Sequence, residues 1–398
     1  AIMSSVPFIS QDGVLDAAAL GERMGKEVVE ASIRDQEKMG GLSGEFKFID
    51  VVLASGEKLA LVLKSAAENA LGANRVTMGC SREAFFYREF GDELAEVANL
   101  PRCFYADGCL ETGALTLLLE CLEGAVPSGV FFGPGNPNNW GVKDKLAEMC
   151  VGNPSAQEVT DLHFALYARL HAAYWQSAEL LEKPWLRATD WMRGEGEASW
   201  NAAQEMARGA WGKCKAAIDA GEAPIQWDAH VVACLDVSFA RATWENYQAE
   251  LKTRPFSLVH GDAHPHNALW VEQRTERARL ALIDFEMVGV GSPSQELGQY
   301  VISHMTPEVR RDGERARVER YHAELHAALH RRGLEAEASA FGLEASWAEY
   351  IAGGFGRWAW FLPLFMLMPQ MAQFFHDQLS AFAHDHLPDA STAPMPRV

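Results

Sequence analysis

The densest group of chemically active side chains lies between residues 258 and 286. Residues 258–267 read Leu-Val-His-Gly-Asp-Ala-His-Pro-His-Asn, and Asp284 follows 17 residues after Asn267, beyond a predicted pair of short strands. Asp262 could accept the proton of an attacking hydroxyl, while Asn267 and Asp284 offer the hard oxygen ligands that Mg²⁺ prefers. This order of residues predicts phosphoryl transfer from a magnesium-bound nucleotide, with Asp262 as the base and Asn267 and Asp284 as metal ligands.

The same segment also supports a second hypothesis, a metal-dependent hydrolase. Its zinc ligands would be drawn from His260, Asp262, His264, His266 and Asp284. Histidine and aspartate are common zinc ligands, so the residue types fit. The hydrolase hypothesis gives Asn267 no role, and we therefore keep it as the alternative.

The first part of the chain is predicted to be rich in strands. Apolar runs rich in Phe, Ile, Val and Leu, separated by turn residues, predict strands over 46–54, 58–63, 103–107 and 114–120. Helical spacing of apolar residues predicts helices over 13–38 and 79–98. Residues 1–122 should therefore form a small unit of strands with one or two helices.

The rest of the chain is predicted to be mainly helical. Ser155 and Glu158 form a capping box that starts the first long helix. The segment after Leu387 consists largely of Pro, Ser, Thr and Ala, which predicts a frayed end. We therefore predict an α+β fold with a larger lobe over 123–390 and a flexible tail over 391–398.

The motif His-Gly-Asp-x-His-x-x-Asn at 260–267, followed by Asp-Phe-Glu at 284–286, resembles the aminoglycoside phosphotransferase and choline kinase superfamily. Its ecdysteroid-kinase-like branch is the most similar. The resemblance implies a protein-kinase-like fold with two lobes, ATP and Mg²⁺ as cofactors, and a hydroxyl of a small molecule as the phosphate acceptor. A choline-like amine, a sterol-like alcohol and an antibiotic sugar all remain open. A nucleotide-binding pseudokinase is disfavoured because every expected catalytic residue type is present.

Two charged residues of the first unit gain roles from this resemblance. Lys64 closes the apolar run 59–63, where a positive charge on a rigid strand could grip the nucleotide phosphates. Glu83 on the following helix would be its ionic partner, with Glu89 and Glu93 as alternatives. We expect the Lys64 charge to be exposed at the strand end, where it would contribute little to stability.

The resemblance also assigns the nucleotide-binding backbone. The loop that covers the nucleotide would include Gly41, Ser43 and Gly44. A hinge over 117–124 would bind the adenine edge through backbone groups around Glu120 and Leu122.

Supporting and acceptor-binding residues complete the expected site. His171 resembles a hydrogen-bonding residue beneath the catalytic loop, and Glu296 stands where relatives carry a supporting Asp. Glu286, where many relatives have Gln, would add negative charge if it faces the metals. Trp358 and Phe361 could line an acceptor pocket, although an aromatic stripe is more often part of the core. The apolar stretch around them is interrupted by prolines and is too short to span a bilayer.

Composition excludes several classes of partner. The chain has 35 Lys and Arg against 54 Asp and Glu, a net charge of −19, which argues against binding to nucleic acid or an anionic membrane. Its seven cysteines include no Cys-x-x-Cys pair, which argues against a disulfide framework or a structural zinc site. Free thiols fit a reducing compartment, and no signal peptide is evident, so we expect a cytoplasmic protein.

Overall fold

The structure, a computed structural model, describes residues 6–10, 12–34, 44–66, 76, 79–150, 154–271 and 280–398. The chain separates into two compact units. The first comprises Ala1–Ala125 and Leu269–Val288, and the second comprises Val126–Ala268 and Gly289–Val398. The sequence predicted one boundary after residue 122, whereas the segment 269–288 returns to the first unit.

The strands are β1 (Val28–Ile33), β2 (Gly44–Leu53), β3 (Lys58–Ala66), β4 (Cys103–Cys109), β5 (Ala114–Glu120), β6 (Val126–Pro127), β7 (Ser257–Val259), β8 (Ala268–Trp270), β9 (Leu280–Leu282) and β10 (Gly289–Gly291). The helices are α1 (Ala17–Met24), α2 (Arg82–Leu94), α3 (Leu146–Met149), α4 (Ala156–Ala173), α5 (Ala178–Leu181), α6 (Thr189–Met192), α7 (Glu197–Ala220), α8 (Ala229–Arg241), α9 (Trp244–Leu251), α10 (Gln295–His304), α11 (Pro307–Arg311), α12 (Glu314–Arg331), α13 (Glu335–Ala340), α14 (Leu343–Phe361) and α15 (Pro369–His386). Short 3₁₀ helices cover Ser128–Phe132, Pro137–Lys145, Pro265–Asn267, Phe285–Met287, Leu362–Leu367 and Ala390–Thr392.

The first unit is built on an antiparallel sheet. Among the described residues this sheet has five strands in the order β1-β2-β3-β5-β4. The turn between β2 and β3 contains Gly56 at φ 84°, a left-handed conformation that favours glycine. In β3, Lys64 pairs with Phe46 on one side and Leu117 on the other, so it lies on a central strand. The core beneath the sheet contains Phe8, Leu20, Met24, Ile49, Val51, Leu53, Leu61, Leu63 and Leu118.

The predicted strands of the first unit and its helix over 79–98 are confirmed, but the helix predicted over 13–38 is wrong. Helix α1 ends at Met24 because Gly25 adopts φ 63° and its N–H bonds back to Glu22 and Gly21. Strand β1 follows at Val28 and pairs with β2. Apolar spacing in this segment resembled a continuous helix, but a helix stop at Gly25 and pairing with β2 decide the structure.

The second unit is mainly helical, as predicted. The capping box at Ser155 is present, with Ser155 Oγ accepting from Glu158 N–H at 3.1 Å and Glu158 accepting from Ser155 N–H at 2.8 Å. Helices α10 and α14 approach closely where Gly298 faces Gly354. A Cβ at Gly298 would lie 2.5 Å from Gly354 Cα, so neither position has room for a side chain. This α+β division agrees with the protein-kinase-like, two-lobed fold class that the resemblance implied.

The tail predicted to be flexible is instead packed into the second unit. Ala393 is fully buried and Met395 is 1% exposed. Ser238 Oγ donates to Pro394 O at 2.5 Å, and Arg397 Nη1 lies 2.9 Å from Glu349 Oε2. The tail's composition resembled that of a frayed end, but its hydrogen bonds and buried apolar residues fix it.

Among the described residues, no helix combines the length and the apolar character needed to cross a bilayer.

Candidate active site

In the first unit, Lys64 is held by two carboxylates. Its Nζ lies 2.6 Å from Glu83 Oε2 and 2.6 Å from Asp284 Oδ1. Lys64 is only 4% exposed, so the expectation of an exposed strand-end charge is wrong. Burial alone would lower the pKa of Lys64, but Asp284 and Glu83 hold it well above its ordinary value. The side chain is therefore charged and fixed in place.

Asp284 is positioned by the residue that follows it. Asp284 itself has φ 67° and ψ 60°, a left-handed conformation that aspartate tolerates better than most residues. The backbone N–H of Phe285 donates to Glu83 Oε1 at 3.3 Å, and its ring stacks on Phe86 with centroids 3.8 Å apart. Because Glu83 and Phe86 both belong to α2, this helix fixes both Lys64 and the Asp284 backbone.

Glu286 adds a third carboxylate to this group. It is 9% exposed, and its charge acts on both Lys64 and Cys80. Burial, together with Glu286, raises the pKa of the Cys80 thiol to about 12, so this thiol stays protonated and donates to the carboxylate. Three carboxylates thus surround one ammonium group, and this excess of negative charge suits a bound cation.

The predicted nucleotide-binding backbone lies only partly within the described residues. Gly41 and Ser43 lie outside them, while Gly44 begins β2 opposite Ala66. At the predicted hinge, the N–H groups of Glu120 and Cys121 already bond within the sheet, to Arg102 O at 2.8 Å and Ala60 O at 2.9 Å. Leu122 follows directly after these two residues.

In the second unit, Asp262 lies in a tight loop that Asn267 closes. Asn267 Nδ2 donates to Asp262 O at 2.8 Å and to Asp262 Oδ2 at 3.1 Å. His264 Nε2 lies 3.3 Å from the same carboxylate oxygen, and 32% of the Asp262 side chain is exposed. Although burial opposes it, the positive potential of His264, His260 and Arg357 holds the pKa of Asp262 below its usual range. Asp262 is therefore ionised and accessible.

A buried carboxylate supports this loop from below. Glu296 accepts hydrogen bonds from the N–H groups of His260 at 3.0 Å and Gly261 at 2.7 Å, and lies 2.9 Å from His171 Nε2. Although burial opposes it, His171 keeps the pKa of Glu296 below its ordinary value. The supporting roles expected of His171 and Glu296 agree with these contacts.

Two further residues that sequence reasoning missed orient Asp262. Gln299 Nε2 donates to Asp262 Oδ1 at 3.3 Å, and its Oε1 accepts from Arg357 Nε at 3.3 Å. Arg357 Nη2 donates to Gly261 O at 2.8 Å. The sequence does contain a signal for Arg357, because it is the one charged residue in the otherwise apolar run 350–368. A buried arginine needs specific hydrogen-bond acceptors, so it indicates a structured polar contact.

The aromatic residues proposed for acceptor binding differ in their surroundings. Trp358 is 4% exposed and its Nε1 donates to Gln299 O at 3.1 Å, so this side chain is almost entirely buried in the core. Phe361 is partly exposed, and Arg357 Cζ lies 4.3 Å from its ring centroid. The chain continues to Leu367, which is 92% exposed. Phe361 is therefore the better candidate of the two for contact with a ligand.

Histidines of the second unit gather beside the same loop, but not in the predicted combination. His264 and His266 each bring a ring nitrogen within 4.8 Å of one on His304, a residue that sequence reasoning did not include. His260 instead turns toward its own loop, where Nδ1 accepts from Asp262 N–H at 3.4 Å. Within the second unit, the hydrolase hypothesis therefore receives a different set of ligands from the one proposed.

Comparison with solved structures finds distant similarities. A GDP complex of aminoglycoside 2'-phosphotransferase-IIIa is 13% identical, with a TM-score of 0.47, covering 89% of this chain and 93% of that one. The choline kinase LicA of Streptococcus pneumoniae is also 13% identical, with a TM-score of 0.47, covering 92% and 98%. An ethanolamine kinase of Plasmodium vivax is 12% identical, with a TM-score of 0.43, covering 89% and 82%. Comparison with curated protein sequences gives no significant match.

Family membership rests on the sequence itself. The profile of the phosphotransferase enzyme family, APH, matches residues 79–338. The match covers more than half of the chain and includes Glu83, Asp262, Asn267 and Asp284. The prediction of a phosphotransferase is confirmed, and the chain belongs to the APH phosphotransferase enzyme family.

Proposed function

We propose that the protein transfers the γ-phosphate of ATP, with Mg²⁺, to a hydroxyl group of a small molecule. The observation that carries this proposal is the ion group in which Lys64 lies 2.6 Å from both Glu83 and Asp284. Lys64 and Glu83 are buried, whereas 32% of the Asp284 side chain is exposed. Burying a charge is costly unless a close partner of opposite charge compensates it. A fixed ammonium beside a carboxylate that can hold metal is the arrangement that phosphoryl transfer needs.

Each unit offers an oxygen donor of the kind that Mg²⁺ prefers. The Nδ2 group of Asn267 donates to Asp262, which leaves the amide oxygen as the atom that could meet a cation. Asp284 offers a carboxylate, and the surplus of negative charge around Lys64 favours a cation there. Mg²⁺, when bound, would neutralise charge on the nucleotide phosphates. Asn267 and Asp284 are therefore the proposed ligands.

Asp262 is the proposed base. It is ionised, and Asn267, His264 and Gln299 hold its two oxygens from three directions. A carboxylate held in this way can orient an acceptor hydroxyl and take its proton as the oxygen attacks phosphorus. Arg357 and Glu296 do not contact the Asp262 carboxylate through these bonds. They position it by hydrogen bonding to the backbone of the loop that carries Asp262.

Nucleotide contacts would come from the hinge, and acceptor contacts from residues at and after the end of α14. The backbone N–H groups of Glu120 and Cys121 already donate hydrogen bonds within the sheet. A ring nitrogen of adenine would therefore accept its hydrogen bond from the backbone N–H of Leu122 or of a later residue. Phe361 and the exposed Leu367 would favour an acceptor with an apolar part, whereas the net charge of −19 would favour a cationic one. Choline-like, sterol-like and antibiotic-like acceptors therefore stay in the proposal, as do the ecdysteroid-kinase-like branch and a cytoplasmic location. All seven cysteines are free thiols, which is compatible with that location.

A turnover screen tests the proposal. ATP consumption with Mg²⁺ is measured against a panel of choline-like amines, sterols and antibiotic sugars, and each hit is checked for a phosphorylated product by mass spectrometry. The Asp262→Ala variant is the negative control, so product must disappear with it. Nucleotide binding without product from any acceptor would favour a pseudokinase, and hydrolysis of an ester or amide substrate without nucleotide would favour the hydrolase.

A further inference from the structure

We propose that His264, His266 and His304 form a binding site for a transition-metal ion such as Zn²⁺, separate from the proposed magnesium ligands. One ring nitrogen from each of the three lies within 4.8 Å of the others. His266 Nδ1 and His304 Nε2 are already 2.8 Å apart. Three histidines are a frequent zinc ligand set, and these three are close enough together to provide one.

The hydrogen bonds of Ser303 set the orientation of His304. Ser303 Oγ donates its proton to Tyr300 O at 2.6 Å, so it must accept from His304 Nδ1, which lies 2.8 Å away. A neutral His304 protonated on Nδ1 carries its lone pair on Nε2, the nitrogen that faces His266. Protein zinc sites commonly fix a ligand histidine in this way, through a hydrogen bond from the opposite ring nitrogen.

Close backbone packing holds His266. A Cβ placed on Gly129 would lie 1.9 Å from His266 Nδ1, so the ring occupies space that only glycine leaves open. Ser128 Oγ donates to the carbonyl of Pro265 at 2.5 Å, which fixes the turn that carries His266. Two of the three ligands are thus positioned without a metal, and such preorganisation favours binding.

The chemistry of the ligands selects the ion. Imidazole suits Zn²⁺ and its neighbours in the transition series, whereas Mg²⁺ requires oxygen ligands. Zn–N bonds of about 2.0–2.1 Å in a tetrahedron place ligand nitrogens about 3.3 Å apart. One pair of nitrogens is 2.8 Å apart and all pairs lie within 4.8 Å, so movements of the rings would complete the site. In binding the ion, His266 would move its ring proton from Nδ1 to Nε2, and the proton stays on the ring.

The site would act on the proposed base. His264 lies 3.3 Å from Asp262 Oδ2, and an ion bound to His264 would draw this imidazole away from the carboxylate that it helps to hold. Zinc should therefore inhibit phosphoryl transfer. This effect rests on the proposed function, whereas metal binding itself does not.

The test is titration of the metal-free full-length chain with Zn²⁺ by calorimetry, without nucleotide or acceptor and in the presence of excess Mg²⁺. We expect one equivalent to bind, with binding lost in His304→Gln and His266→Gln and retained in His330→Gln, an exposed histidine of α12. Co²⁺ as a second probe should give the visible absorption of a four-coordinate ion in the wild-type chain, which needs no variant.

Two results would overturn the proposal: the absence of stoichiometric Zn²⁺ binding by the wild type, or undiminished binding by both cluster variants. Binding without inhibition would disprove only the link to Asp262, and binding in a chain that transfers no phosphate would leave the metal site standing while the proposed function fails.

Discussion

Phe285 lies flat against Phe86, with ring centroids 3.8 Å apart and planes 7° from parallel. Both rings are fully buried. Phe285 directly follows Asp284, and Phe86 shares α2 with Glu83, so the stack joins the proposed metal ligand to the helix that holds Lys64.

Replacing Phe285 should therefore lower the stability of the protein. Phe285→Ala is expected to lower the free energy of unfolding by about 3–5 kcal/mol, because it leaves a cavity in a closely packed core. Phe285→Leu, whose side chain fills part of this cavity, should lose less of the free energy of unfolding. Denaturant unfolding measures the free energy of unfolding of both variants. A Phe285→Ala protein as stable as the wild type would contradict the packing of Phe285 against Phe86.

Lys64→Ala should destabilise the protein, because it leaves Glu83 buried without its cation. Loss of one partner from a buried ion pair costs about 3–5 kcal/mol. Lys58→Ala, at the exposed start of the same strand, is the matched control and should unfold like the wild type. In the double variant Lys64→Met and Glu83→Gln, part of the loss should be recovered. Equal stability of Lys64→Ala and Lys58→Ala would show that the buried pair contributes nothing.

Asp262→Ala should reduce turnover by about 10²–10⁴, the usual effect of losing a general base, while nucleotide binding is retained. The measurement is steady-state turnover with an acceptor identified in the screen, together with nucleotide affinity by calorimetry. Asp219→Ala, on the exposed face of α7, is the control. Turnover close to the wild-type rate would remove Asp262 from the mechanism.

Asp284→Asn should raise the magnesium concentration needed for half-maximal turnover. Asparagine tolerates the left-handed backbone at this position, so the substitution removes charge without forcing a change of conformation. Titration of Mg²⁺ at fixed ATP gives the result. An unchanged magnesium requirement would mean that Asp284 does not hold the metal.

Glu349 should make the second unit sensitive to acid. Although burial opposes it, Arg397 and Arg254 lower the pKa of Glu349 to about 2, from an ordinary value of 4.5. A carboxyl whose pKa is lower in the folded than in the unfolded chain stabilises the fold at pH values above its unfolded-state pKa. This contribution is lost as the pH falls from about 4.5 toward 2. Its size is roughly 3 kcal/mol.

The check is unfolding at neutral pH and near pH 3. The wild type should lose more stability between the two than Glu349→Gln does, and Glu335→Gln, at an exposed position, should behave like the wild type. The same acid sensitivity in Glu349→Gln would mean that Glu349 is not the source of the loss of stability at low pH.

Local patterns in the sequence were enough to place strands β2 to β5 and to single out the segment that carries Asp262 and Asn267. Strand β3 could be predicted because its apolar run is bounded by turn residues, and Asp262 and Asn267 lie only five residues apart. The burial of Lys64 could not be predicted in this way, since Asp284 is 220 residues further along the chain. Its environment depends on a contact that no local pattern encodes.

The same limit explains the residues that were missed. Gln299 and His304 lie on α10, far from the loop in sequence, and only tertiary packing brings them to Asp262 and His266. The tail was misjudged for a related reason. Pro, Ser and Ala are typical of frayed ends, but the buried contacts of Pro394 and Arg397 lie on helices more than 40 residues away.

The first unit is assembled from two stretches of chain, residues 1–125 and 269–288. During synthesis the first stretch leaves the ribosome long before the second, and Lys64 emerges with Glu83 but without Asp284. The strand-rich unit consequently cannot reach its final state in the order of translation, and it must wait in an incomplete form while 143 intervening residues are made. Completion of the strand-rich unit is thereby tied to synthesis of the segment that carries Asp262.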